Sequence, residues 1–273
     1  MLLKILFAFA IFGMTSCAPQ SYKTKEMTLE KIVNSSHRSA ENKARDKFRN
    51  PIKTLEFFEV KPEMTVVEVS PGKGWYTEIL GPYLKDSGTL YLTLFSENSK
   101  RSYAAPSNKA VKKMTSNKKR FGKVNYTTLE LPDDMGPIAP AGSADRVLTF
   151  RNAHSWANSG NGVKAFKTFF DALKPGGILG VVEHREPSSR KIDPKLRSGY
   201  MQEKHVIKIA EKAGFKLVAK SEINANSKDT ADHVGGVWAL PPSLRHKDKN
   251  KEKYMDIGES DRMTLKFVKP LKK

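Results

Sequence analysis

Apolar residues recur along the chain in two rhythms. Short runs in which most positions are apolar or β-branched alternate with longer stretches in which apolar residues return every three or four positions. The first rhythm predicts strands at Thr65–Val69, Gly88–Phe95, Val124–Leu129, Ala144–Phe150, Ile178–Glu183, Lys216–Glu222 and Met263–Val268. The second predicts a short amphipathic helix through Met27, Leu29, Ile32 and Val33, and a helix opening at Pro51 with Leu55 and Phe58 on its stripe. Further helices are expected from Trp75 to about Leu84 and in parts of the basic segment Ser99–Gly122. Val163–Leu173 sets Phe166, Phe169, Phe170 and Leu173 on one face before Pro175-Gly176-Gly177, and Met201–Ala213 is stopped by Gly214. Pro132–Gly142 and Arg151–Gly162 read as loops, and the polar run Asn224–Thr230 as a solvated loop or a lid. Strands alternating with helices argue for a mostly parallel sheet covered on both faces, with its ligand beyond the carboxyl ends of the strands.

One junction carries chemistry. Between the first strand and its helix stands Ser70-Pro71-Gly72-Lys73-Gly74, headed by Glu68 and followed by Trp75 and Tyr76. A dinucleotide fingerprint needs a third glycine where this chain has Thr77, which weakens a pyrophosphate reading. An acid before the turn and bulky residues after it suit a cofactor that has an adenosine but no phosphate. A tight turn with no ligand is the other reading of the same residues.

These residues resemble the first motif of class I S-adenosylmethionine-dependent methyltransferases, an acid followed by spaced glycines, with Ser70 where that family has its first glycine. They are more similar still to a group of bacterial predicted methyltransferases with a Pro-Gly-x-Gly-Trp-Tyr turn. Phe150–Trp156, Leu173–Gly177, Glu183–Arg185 and Gly236–Pro242 also look like that group, so the resemblance runs from about Arg45 to Pro242. It implies a Rossmann-like, doubly wound α/β methyltransferase fold, with a mostly parallel seven-stranded sheet and an antiparallel last strand. It implies S-adenosylmethionine as cofactor, with Glu68, Ser70, Pro71, Gly72 and Gly74 around its methionine half. The family's ribose-binding acid ends the second strand; Leu94 stands there, and Glu97 is the nearest substitute, as ribose ligand or as surface carboxylate. Asn152 either closes over cofactor or substrate or caps its own loop.

In the family's strand order the fourth and fifth strands are neighbours, roughly 5 Å apart, which brings His154 and His184 together. As catalytic residues, a neutral imidazole there accepts a proton from a substrate hydroxyl or amine, and Arg185 holds an anionic substrate group. The plainer alternative is that both histidines orient loops by hydrogen bonding. No spacing supports a metal site from His154, His184, Asp232 and His233. Trp156 and Trp238 wall a substrate pocket or pack a core.

Composition adds class and location. In 273 residues, 38% hydrophobic and 9% aromatic residues suffice for a real core. The net charge of +19 is mostly lysine, densest in Lys109–Lys123 and Lys247–Lys253, and without aromatic interleaving it reads as a solvated coat and not a specific nucleic-acid surface. The first residues, MLLKILFAFAIFGMTS, have the charge, apolar run and small residues of a secretory signal, and they end at Cys17, the only cysteine. A single cysteine excludes internal disulfides. Met14-Thr15-Ser16-Cys17 resembles a bacterial lipobox, which implies export and membrane attachment through a lipidated Cys17; plain cleaved secretion and an uncleaved anchor are the other readings of the same residues. The expected organisation is signal peptide 1–17, tether and helical extension 18–50, and methyltransferase-like domain 51–273. Two functions stay open: a methyltransferase acting on a small molecule, and a cell-envelope lipoprotein that keeps the fold as a ligand-binding protein without catalysis. A nicotinamide enzyme is opposed by Thr77 and Leu94. Replacing Cys17 by Ser is expected to move the protein from the membrane fraction to the soluble fraction on cell fractionation; persistence in the membrane contradicts lipidation.

Overall fold

All seven expected strands form in the computed structural model, which describes residues 28–271 other than 192 and 194, so Cys17 and the signal lie outside the described residues. The strands are β1 (Thr65–Val69), β2 (Thr89–Leu94), β3 (Val124–Glu130), β5 (Ala144–Phe150), β6 (Leu173–His184), β7 (Lys216–Ser221) and β8 (Arg262–Val268), with a two-residue β4 (Asp134–Met135) between β3 and β5. They make one sheet in the order β4-β3-β2-β1-β5-β6-β8-β7. β1 pairs parallel with β2 and β5, and β5 parallel with β6, whereas β8 runs antiparallel to both β6 and β7. β4 lies in a stretch expected to be loop: it is too short to show an alternation and exists only through its antiparallel pairing with β3.

Among the described residues eleven helices surround the sheet. They are α1 (Leu29–Asn34), α2 (Ala40–Lys43), α3 (Asp46–Arg49), α4 (Pro51–Phe57), α5 (Thr77–Leu84), α6 (Ala104–Thr115), α7 (Lys118–Phe121), α8 (Ala153–Asn158), α9 (Gly162–Ala172), α10 (Glu203–Lys212) and α11 (Lys251–Ile257). Successive strand residues serve opposite faces. Val67, Val147, Leu179 and Phe267 pack with Phe166 and Phe169 of α9 and Val206 and Ala210 of α10. Val66, Leu92, Leu148 and Val182 pack with Ile32 of α1, Leu55 of α4, Ile79 and Leu80 of α5 and Phe121 of α7. Burial on both faces explains why these strands read as nearly continuous apolar runs. Each fully buried aliphatic or aromatic side chain contributes roughly 1.5–3 kcal/mol.

The amino-terminal helices are fixed to the sheet by polar contacts as well. Trp75 donates from Nε1 to the Asn42 carbonyl at 3.0 Å, and the guanidiniums of Arg38 and Arg49 lie 5.1 and 4.7 Å from the centre of its ring. Arg38 also forks onto Asp46 at 2.7 and 2.8 Å. The run Asn224–Thr230 is a loop, as expected, with Ala225, Ser227, Lys228 and Thr230 exposed; it lies outside the cavity lining, and two buried residues anchor it. Asn224 is buried and donates to Thr54 and Thr264, and buried Asp229 accepts from Tyr200, His233 and the backbone N–H groups of Ala231 and Asp261. Its polar residues satisfy backbone and hydroxyl groups where the chain crosses the sheet end to reach β8.

Glu259 is the central tie. Only 2% exposed, its carboxylate accepts from Arg45 at 2.6 Å, from Arg49 at 2.9 Å and from Arg262. Burial pushes its carboxyl up, but Arg262, Arg49, Arg151 and Arg45 outweigh that and hold it at about 2. Glu259→Gln removes the one carboxylate that, among the described residues, pairs with Arg45, Arg49 and Arg262, and is expected to lower stability by about 3–5 kcal/mol in urea unfolding; a loss under about 1 kcal/mol contradicts this role.

Candidate functional site

From β1 the chain steps outward through β2 and β3 to β4 and then crosses back to β5 on the other side of β1, so a crevice opens beyond the carboxyl ends of β1 and β5. A cavity of about 520 Å³ fills that crevice. Its near wall is the turn after β1, with Glu68, Ser70, Pro71 and Gly72; its far wall is Arg151, Asn152, His154 and Trp156 after β5 and His184 at the end of β6. Trp238, within the short 3₁₀ turn Gly236–Ala239, and Pro241 and Pro242 after it close the cavity, and Glu259, Ser260 and Arg262 form its floor.

The turn is built on unusual backbone. Ser70 has φ 48°, the left-handed region that the resembled family fills with glycine, and its N–H donates to Thr93 at 2.9 Å. The conformation of the motif is therefore kept although the residue differs. Gly72 has φ 60°, and a Cβ built there meets no heavy atom within 4 Å, so bare backbone faces open space. Gly74, with φ 85°, does not line the cavity; a Cβ there comes within 3.0 Å of Met114, so it serves packing of the turn against α6. Thr77 donates to Glu68 at 2.7 Å, which gives the residue at the third fingerprint position a structural use. Burial pushes the Glu68 carboxyl up to about 8, and the Thr77 bond offsets this only in part.

Asn152 spans the crevice by donating to the Val69 carbonyl at 3.2 Å. Opposite it, the two histidine rings lie 5.5 Å apart, as expected from neighbouring strands. Between them sits Glu183, wholly buried, a residue that sequence reasoning quoted but did not use. Its carboxylate accepts from the backbone N–H of His154 at 3.1 Å and of His184 at 2.8 Å, and it faces Nδ1 of His154 at 3.1 Å. An acceptor held by two backbone donors makes Nδ1 of His154 the donor and leaves its Nε2 with the lone pair. His184 contacts Ser260 at 2.6 Å through Nδ1, and its imidazole is held well below the usual range by burial, then by His154, Arg262, Arg151 and Arg49. Among the described residues, His154, Glu183 and His184 are the one histidine and carboxylate grouping with ligand atoms within 4.8 Å of one another. Both Glu183 oxygens already face N–H groups or the His154 ring and the neighbouring arginines repel a cation, which leaves poor metal chemistry.

Besides Gly74, two more expected site residues lie outside the cavity. Glu97 is exposed and lies 3.8 Å from Lys112, outside the cavity, because Asn108 brackets Phe95 and the chain turns outward after β2. The acid that does line the cavity there is Glu130, from the end of β3, which accepts from the Ser96 N–H, Ser99 and Arg101. Arg185 points to the opposite side from His184, as consecutive residues along a strand do, and forks onto Asp261 while also binding Glu222. Those acids complete it, and the cavity's cations are instead Arg101, Arg151, Arg245 and Arg262. Trp156 lines the cavity and packs on Phe169, whereas the Trp238 ring stands 6.0 Å from His154.

Comparison with solved structures gives the fold its context. A SAM-dependent methyltransferase from Aquifex aeolicus superposes with a TM-score of 0.52 at 18% identity, covering 89% of this chain and 98% of that one. A putative sarcosine dimethylglycine methyltransferase from Galdieria sulphuraria gives 0.54 at 14% identity, over 84% and 87%. This chain has the methyltransferase fold. The cyclase SpnF is similar to it to the same degree, with a TM-score of 0.54 at 14% identity over 88% and 85%, so the fold by itself does not name a reaction. No protein-family model matches, and no curated protein does.

Glu68 allows a test of the site's electrostatics. Its folded value lies above the ordinary 4.5, so its contribution to stability is complete below that pH and is lost as the pH rises toward 8. Glu68→Gln keeps an acceptor for Thr77 and removes the titration. It is expected to match the wild type near pH 4.5 and to exceed it at pH 8 by on the order of 2–5 kcal/mol in urea unfolding. Parallel pH profiles for the two proteins contradict this.

Proposed function

We propose that the chain transfers a methyl group from S-adenosylmethionine to a small-molecule acceptor bound in the cavity. The observation that carries this reading is Gly72, whose left-handed backbone faces cavity space in which a side chain meets nothing. A ligand can approach main-chain atoms there more closely than any side chain allows. Glu68, Ser70, Pro71, Gly72 and Asn152 fit the methionine half of the cofactor, and Glu130, in place of Glu97, is the acid in reach of the ribose hydroxyls. When bound, the cofactor supplies an electrophilic methyl group.

The chain's own residues then have three tasks. Trp238, Pro241 and Trp156 exclude water and orient the acceptor, which is the larger part of catalysis in a direct displacement. His154, oriented by Glu183, accepts the proton that a hydroxyl or amine acceptor gives up, at Nε2. His184, kept neutral among arginines, positions the acceptor and does not repel it. The chain is proposed to work in the cell envelope, exported and anchored through Cys17, without a nucleic-acid partner, and to belong with the bacterial group that shares its Pro-Gly-x-Gly-Trp-Tyr turn.

Calorimetric titration with S-adenosylhomocysteine tests this directly. The wild type is expected to bind, and Gly72→Val, checked for folding by circular dichroism, to bind at least about twentyfold more weakly. No heat at millimolar ligand, or equal affinity in the variant, contradicts the reading.

A further inference from the structure

Arg151 follows β5 directly, with φ 65° in a region that non-glycine residues rarely occupy. Its side chain lines the cavity, and no described residue accepts a hydrogen bond or forms an ion pair with its guanidinium. Around it stand Arg45, Arg49 and Arg262, with Glu259 as the one carboxylate among them. Glu259 is already spent on Arg45, Arg49 and Arg262, and even so Nη2 of buried Arg49 has no partner. Burial, followed by repulsion from Arg262, brings the Arg151 guanidinium down to about 10, so it stays charged at neutral pH.

No other acid in the cavity answers this charge. Glu68 is held mostly protonated at neutral pH by burial, Glu130 is paired with Arg101, and the Glu183 oxygens receive N–H groups. A partly buried guanidinium without an internal acceptor is costly to fold, and its five donors match an oxyanion. The same charge argues against a cation on the histidines. Position adds chemistry: Ser260 joins Arg262 to His184, and the His184 ring is next to His154. A group held on this floor therefore lies beside the proton acceptor and across β5 from the Glu68 and Gly72 side of the cavity.

We propose that the methyl acceptor carries a carboxylate or phosphate group, bound by Arg151 with Arg262 and Ser260. Its identity as methyl acceptor rests on the function proposed above; the anion site itself rests only on the arginines.

The probe is inorganic phosphate, titrated calorimetrically into the full chain with and without saturating S-adenosylhomocysteine. Phosphate is expected to bind in both cases, at least about tenfold more weakly to Arg151→Gln and within about threefold of wild type to Arg151→Lys. S-adenosylhomocysteine affinity is expected to stay within about twofold in Arg151→Gln. The glutamine variant is also expected to melt no lower than the wild type, because a repelling charge is gone. No phosphate binding, or binding unchanged in Arg151→Gln, overturns the proposal. A loss of S-adenosylhomocysteine affinity that spares methylthioadenosine, which lacks the carboxylate, also overturns it by assigning the arginine to the cofactor. Arg151-dependent phosphate binding without any S-adenosylhomocysteine binding upholds the anion site and removes the methyl-transfer reading. If the glutamine variant does not fold, phosphate protection of Arg151 from phenylglyoxal in the wild type, mapped by peptide mass spectrometry, decides: protection supports the site and its absence overturns it.

Discussion

A single buried carboxylate, Glu259, joins two parts of the molecule that are distant in sequence. It binds Arg45 and Arg49 of the amino-terminal segment and Arg262 at the start of β8, and it lies on the cavity floor. The attraction outweighs a large desolvation cost, which is why its carboxyl stays ionised although buried. Without that tie, the helices that carry Asn42 and Arg49 lose their hold beside Trp75, and the turn after β1 loses its support. The arrangement is also unbalanced, because one anion faces several cations. That imbalance gives the cavity its positive floor.

Three buried acids in and around the cavity have been given three different states by their surroundings. Glu259 is ionised by arginines, and Glu183 is an acceptor for two backbone N–H groups and one imidazole. Glu68 has only a threonine hydroxyl and is therefore the one pushed up to about 8. The result is a polar gradient across the cavity, from a mostly neutral carboxyl by the glycine turn to guanidiniums beneath the histidines. A cofactor site and an acceptor site of opposite character fit that gradient.

Much of the fold was legible because strands buried on both faces leave long apolar runs, and α9 and α10 keep their stripes. Helix α8 and strand β4 were missed because six and two residues carry no readable period. The glycine turn and the two histidines were legible from local motifs. Glu130 was not, since its place beside β2 depends on the parallel pairing of β2 with β3 and not on distance along the chain. Arg185 is instructive in another way: strand alternation alone sets it opposite His184. The arginine cluster around Glu259 joins positions 45 and 49 to 151 and 262, which no spacing rule connects.

The proposed reaction depends on where a methyl donor sits. A crystal structure of the chain with S-adenosylhomocysteine tests it most directly. Ligand density is expected between Gly72 and Asn152, with ribose hydroxyls at Glu130 and the sulfur facing His154. Density elsewhere, or an empty cavity at saturating ligand, contradicts it.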